Sequence, residues 1–155
     1  MNIFALALQW NFILFTALVG WFVAQVLKTA INCVLVRSLS IERMWGDGGM
    51  PSAHSATVCA MLVAVGRNSG TSSAIFAVAA VVAIITMHDA MGVRRETGEQ
   101  AKILNRMISE WMDEGAQNAP FLADKKLKEM VGHTPIEVIS GAIVGFIIGF
   151  LMPMP

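Results

Sequence analysis

Residues 3–27 read IFALALQWNFILFTALVGWFVAQVL, a run whose only polar side chains are Gln9, Asn11, Thr16 and Gln25. A helix rises about 1.5 Å per residue, so a stretch of this length crosses a hydrocarbon core of roughly 30 Å. It lacks the basic leading segment of a secretory signal and is longer than the usual signal core, so it is expected to stay as a first membrane span. The rest of the chain agrees with that solvent. Of its 155 residues 55% are hydrophobic and 14% charged, against about 25% charged in ordinary soluble domains. The length suits a single domain over residues 1–155, and the balanced charge (Lys+Arg 11, Asp+Glu 11) argues against nucleic acid as a partner. Cys33 and Cys59 stand in apolar surroundings without metal-ligand spacing and read as small hydrophobes.

Three further apolar runs follow: Ser55 to Val65, Ser73 to His88, and Ile136 to Met152. The two middle runs are short for free-standing spans and need protein neighbours or a thinned bilayer. The last carries Gly141, Gly145 and Gly149 at four-residue spacing, a stripe along which another helix approaches closely. Packing within the chain is the simpler use of such a stripe, and a homo-oligomer is the other. Between the third and fourth runs, Ile103, Leu104, Met107, Ile108, Trp111 and Met112 mark one face of an amphipathic helix in the 96–112 region. Its polar positions Glu99, Lys102, Asn105, Arg106 and Glu110 are mixed in sign, which suits a lid or packing helix at the membrane surface better than a sensor of lipid charge. Asp113 to Asp124 reads as a loop. The expected fold is an all-α membrane protein with about four transmembrane helices and this cytoplasmic amphipathic helix.

Four spans put the loops 28–54 and 89–135 on one side. Lys28, Arg37, Arg43, Arg94, Arg95, Lys102, Arg106, Lys125, Lys126 and Lys128 fall there, leaving Arg67 alone on the other. The positive-inside rule then makes both loops cytoplasmic in a multi-pass protein of the cell (inner) membrane. The stretch Thr29 to Val36 is too short to cross alone and either continues the first helix or helps a re-entrant turn.

The charged side of the chain also holds its chemistry. Lys28, at the end of the first span, is most simply a snorkelling side chain. Residues 48–55, Gly-Gly-Met-Pro-Ser-Ala-His-Ser, combine glycines with a helix entrance at Ser52 and Ala53, where backbone N–H groups and the helix dipole favour a phosphate. His54 stands one residue further in, able to donate or accept a proton near neutrality. Helix capping by Ser52, with His54 as an interfacial polar residue, is the plainer account. A second entrance is Gly132-His133-Thr134-Pro135-Ile136-Glu137. Thr134, Pro135 and Glu137 make a capping box with proline at its first helical position. His133 is left over, and Glu137, four residues on, can serve either the cap or the imidazole. The third element, His88-Asp89-Ala90-Met91-Gly92-Val93-Arg94-Arg95, ends the third run; its arginines are either a solvated flank or phosphate ligands. Two imidazoles, two helix entrances and several cations on one face suggest phosphoryl transfer on a lipid phosphate.

Lys28, residues 49–56 (Gly-Met-Pro-Ser-Ala-His-Ser-Ala), 89–95 (Asp-Ala-Met-Gly-Val-Arg-Arg) and 132–138 (Gly-His-Thr-Pro-Ile-Glu-Val) together resemble the small divergent bacterial and plant branch of the type 2 phosphatidic acid phosphatase and vanadium haloperoxidase superfamily. The resemblance implies that His133 is a nucleophile forming a phosphohistidine, that Glu137 orients it, and that His54 protonates the leaving group. It implies further that Ser52 and the backbone of Ala53 hold the phosphate, that Lys28 and an arginine neutralise it, and that neither metal nor other cofactor is needed. The chain departs from the wider superfamily at Leu35 and Leu127, where arginines are expected, and at Ala53, where glycine is. Arg37 lies about 180° round a continuous helix from Lys28 and cannot replace the first. Arg94 or Arg95 is expected to replace the second, with residues 96–131 inserted before His133. The expected activity is a metal-independent lipid phosphatase acting on a phospholipid or prenyl phosphate. Its rivals are a Mg²⁺-dependent hydrolase built on Asp47, Asp89 and Glu96, and a phospholipid-binding scaffold without catalysis.

Overall fold

The computed structural model describes residues 3–36, 49–113, 127–129 and 131–155. The described residues form five helices and no strand: α1 (Ile3–Val36), α2 (Ala53–Ser69), α3 (Ala74–Met91), α4 (Val93–Asp113) and α5 (Pro135–Leu151). The second, third and fourth apolar runs thus become α2, α3 and α5, with ends shifted by a few residues. The first run extends to Val36, so Thr29 to Val36 continues the helix and makes no re-entrant turn. It is also broken near its start. Asn11 leaves helical geometry (φ −159°, ψ 91°), and its Oδ1 accepts a hydrogen bond from the Leu14 N–H at 2.9 Å. A side chain that competes for backbone N–H groups restarts a helix by capping it, so the straight part of α1 begins at Phe12.

The central helix is α2, which packs against α1, α3 and α5. Its own side chains explain this position. Ala53, Ala56, Cys59, Ala60 and Ala64 are all buried, and such small residues let backbones come close. Ala24 of α1 meets Ala53 and Ala56; Ala83 and Met87 of α3 meet Val58 and Cys59; Phe12 meets Ala64 together with Met152 beyond α5. These pairings make α1 and α3 antiparallel to α2. The glycine stripe of α5 lies on α2 in parallel: a Cβ added at Gly141 would strike the Ser52 carbonyl, one at Gly145 the Ala56 carbonyl, and one at Gly149 would come within 2.6 Å of the Val63 side chain. All three glycines are buried. The stripe that the sequence offers to a second copy is therefore taken by the same chain.

The outer surface is apolar. Leu14, Leu18 and Phe22 of α1, Val78, Val81, Ile84 and Ile85 of α3, and Ile139, Ile143, Phe146 and Phe150 of α5 are exposed. Hydrocarbon solvates such a surface and water does not, while the backbone groups beneath are satisfied within each helix. Trp10–Val34 and the stretch beginning at Ala74 are long and apolar enough to cross a membrane; α5 is apolar and shorter, at 17 residues.

α4 stands apart. It begins right after Gly92, whose ψ of −93° is not helical, and among the described helices it packs only on α3. It starts three residues before the expected 96–112 region because Gly92 alone forms the junction, Glu96 N–H donating back to Gly92 O at 3.0 Å. The loop reading of Asp113 to Asp124 applies from 114 onward to residues outside the described set; Asp113 itself ends α4.

Candidate active site

The parallel packing of α2 and α5 brings both helix entrances to one end of the bundle. They are joined directly: the Ser52 N–H donates to Glu137 O at 2.9 Å, and Gly141, one turn further along α5, lies against the Ser52 backbone. Ser52 is fully buried and caps α2, its Oγ accepting from the Ser55 N–H at 3.4 Å and from the Ser55 hydroxyl at 3.1 Å. Ala53 opens α2, its side chain packed beside Ala24 and Ala56. Nothing at that position has positive φ, so the alanine that stands where the wider superfamily has glycine meets no backbone strain.

Joining the entrances joins the histidines. The rings of His54 and His133 meet edge to face, with centroids 5.9 Å apart and planes 82° from each other. His54 is half-buried and His133 is 2% exposed. Three neighbouring elements hold His133 in place. Its N–H donates to Ala90 O at the end of α3, at 3.0 Å. Gly132, at φ +88°, lets the chain turn against the first turn of α4, where any Cβ would collide with the backbone of Arg94 and Arg95. Thr134 then starts α5. Two of these contacts, the Ala90 carbonyl and the Gly132 wedge, escape the sequence reading; the only signal for the second is a glycine next to a candidate nucleophile.

Lys28 belongs to the same end. It is 3% exposed, and its Cγ and Cδ lie alongside Gly49, where an added Cβ would sit 3.7 Å from each. Snorkelling to the lipid headgroups is thus replaced by burial against the glycine-rich loop that leads to Ser52. A separation of 3.7 Å is ordinary contact distance, so glycine is required at 49 by the turn, at φ +90°, and not by the lysine. Burying an ammonium is expensive unless anionic or polar groups face it.

Glu137 serves the cap. Its Oε2 accepts the Thr134 N–H at 2.9 Å, the choice that the sequence left open between the helix start and the imidazole. Arg94 is exposed and ion-paired with Asp89, Nε to Oδ2, at 2.8 Å; Arg95 is also exposed. Both arginines are close to His133 through their backbone, by way of Gly132. Asp89 is thereby engaged with an arginine, Glu96 is exposed, and Asp47 lies outside the described residues, as does Arg37. Among the described residues no three of His, Cys, Asp and Glu converge as metal ligands. Leu127, at the position of the missing arginine, is exposed, and its backbone N–H and carbonyl are both bonded to the Asn105 side chain at 2.9 Å.

The opposite end carries Arg67, which the sequence marks only as the lone basic residue of its side. Its Nη1 donates to the carbonyls of Gly149 (2.6 Å), Phe150 (3.2 Å) and Met152 (2.7 Å), and the guanidinium lies 5.6 Å from the centre of the Phe12 ring. It closes the C-terminus of α5, where carbonyls would otherwise lack partners.

Among known proteins, the chain is 40% identical over 149 residues to the uncharacterized membrane protein YuiD of Bacillus subtilis (strain 168), an alignment that takes in 92% of this chain and 94% of the relative. No solved structure matches it. The family model described as the Divergent PAP2 family matches residues 9–148, the region that contains Lys28, both histidine entrances and the α3–α4 junction, and the chain belongs to that family.

Proposed function

We propose that this protein is a membrane lipid-phosphate phosphatase, a phosphoric monoester hydrolase that needs no metal and acts on a phospholipid or prenyl phosphate. The observation that carries the reading is the edge-to-face pair His54–His133, set between two joined helix entrances with a buried lysine at the same end. His133 attacks phosphorus through a ring nitrogen as the bond to the lipid oxygen breaks, and His54 gives that oxygen its proton. Water then attacks the phosphohistidine, its proton passes to His54, the N–P bond breaks, and inorganic phosphate leaves. Ser52, the backbone at Ala53 and Lys28 hold the phosphate oxygens, and Arg94 or Arg95 adds charge from the first turn of α4 after releasing Asp89. Glu137 acts on His133 indirectly, by fixing the start of α5. The bundle helices α1, α2, α3 and α5 are four spans of the cell membrane, with the site facing the cytoplasm.

Purified protein assayed on a panel of lipid phosphates tests the chemistry. The expected result is vanadate-sensitive release of phosphate and an acid-labile phosphoryl label on the wild type that His133→Ala lacks. Inhibition by EDTA reversed by Mg²⁺, with His133→Ala still active, would establish the metal route instead. No turnover on any lipid, with lipid binding unchanged in His54→Ala and His133→Ala, would leave a scaffold. For orientation, an impermeant thiol reagent applied to intact cells should label Asn68→Cys and spare Gln117→Cys in a Cys33→Ser background; the reverse pattern inverts the topology.

A further inference from the structure

We propose that α4 is an in-plane membrane helix, docked on the lipid surface through Ile103, Leu104, Met107 and Trp111. At about 100° per residue the helix has three sides, two of which already have partners. Gly98, Ala101 and Asn105 form one side, covered by residues 127–129 and 131 of the same chain. A Cβ at Gly98 would come within 2.7 Å of the carbonyls of Glu129 and Val131, Ala101 is buried, and Asn105 bonds Leu127 and the Glu129 carboxylate. Glu99, Lys102, Arg106 and Glu110 form the second, exposed and paired among themselves, Lys102 to Glu99 and Arg106 to Glu110, each at 2.9 Å.

The third side is open, polar at Glu96 and Gln100 in its first half and apolar in its second: Ile103 is 60% exposed, Leu104 47%, Met107 59% and Trp111 61%. A row of four large apolar side chains on one helix is more than a water-exposed surface ordinarily carries. Its occupant is indicated by continuity. The outward face of α3 carries the exposed Ile84 and Ile85 and ends at the exposed His88, and the exposed Val93 follows directly after the Gly92 junction. α4 therefore starts within one residue of the end of an apolar helix, at the level where that helix leaves the hydrocarbon. The helix cannot prolong the span, because Arg94, Arg95, Glu96, Glu99, Lys102, Arg106 and Glu110 fall within it. The non-helical ψ of Gly92 provides the change of direction that a helix leaving a span for the membrane plane requires. The indole of Trp111 suits the headgroup boundary. Since the charges pair with one another, attraction rests on apolar burial and not on anionic lipid.

The test uses full-length protein with Cys33→Ser, carrying Met107→Cys or Arg106→Cys with a small fluorophore, in phosphatidylcholine nanodiscs. With brominated acyl chains the Met107 label should lose most of its emission while aqueous iodide leaves it unchanged; the Arg106 label should show the opposite. Iodide quenching of the Met107 label would overturn the proposal in favour of a water-exposed face, and resistance to both quenchers would overturn it in favour of a protein partner such as a second copy. Ile103→Cys repeats the measurement on the same side should Met107→Cys fail to yield folded protein.

Discussion

The two ends of the α2–α5 pair are built from the same helices and solve opposite problems. Where the helices begin, Ser52 and Glu137 bind the two backbones together and the side chains placed there are His54, His133 and Lys28, none of which is needed to close a helix end. Where they finish, one arginine satisfies three carbonyls and stacks on Phe12. The first end gathers titratable side chains, and the second uses one charge to satisfy a helix terminus. The charge that terminates a helix serves stability, and the titratable cluster at the other end is where the proposed chemistry is placed.

That contrast can be broken by substitution. The largest effect is expected at the histidines: His133→Ala should reduce lipid-phosphate hydrolysis to background, and His54→Ala should reduce it by about 10²- to 10⁴-fold, with thermal unfolding little changed. Loss of folded protein in either variant would assign the imidazoles to structure. Next comes Gly141→Val, which drives a branched side chain into the Ser52 backbone. It should cost about 1–3 kcal/mol of stability and disproportionately lower activity, because it separates the entrances that carry both rings. Gly149→Ala, at the far end of the same stripe against Val63, should destabilise and leave the activity of the folded fraction intact; equal loss of activity in both would show that the ends are not independent. The smallest effect on catalysis is expected from Arg67→Ala. It should lower stability by about 1.5–3 kcal/mol, read in a denaturation midpoint, and leave kcat/KM unchanged below the transition.

How far the sequence could be read follows from what each feature depends on. Apolar runs and capping residues are local, so four of the five helices are legible within a few residues. The Asn11 break was not, since a single polar residue in an apolar run gives no sign of whether it caps or simply faces a neighbour. The partner of the glycine stripe depends on tertiary structure, although Ser52, Ala56 and Ala60 do show the matching four-residue spacing on α2. At the site, the order of the apolar runs puts His54 and His133 on one face, and motif resemblance adds that they work together. The burial of Lys28 could not be inferred, because a lysine stem is equally suited to lining a lipid boundary and to lying beside a glycine loop. Glu137 had two plausible partners four and three residues away, and only the backbone position of Thr134 decides between them.

The parallel arrangement of α2 and α5 has a thermodynamic consequence. Two aligned helix dipoles side by side repel, with their positive ends at Ser52 and Thr134 and their negative ends near Gly70 and Met152. Arg67 relieves the negative end, while at the positive ends the Glu137 carboxylate serves its own cap. An anion held there, as the proposed function requires, would add counter-charge. Its binding would then be linked to the cohesion of the whole bundle, and the occupied protein would be the more stable one by an amount set by ligand concentration relative to Kd.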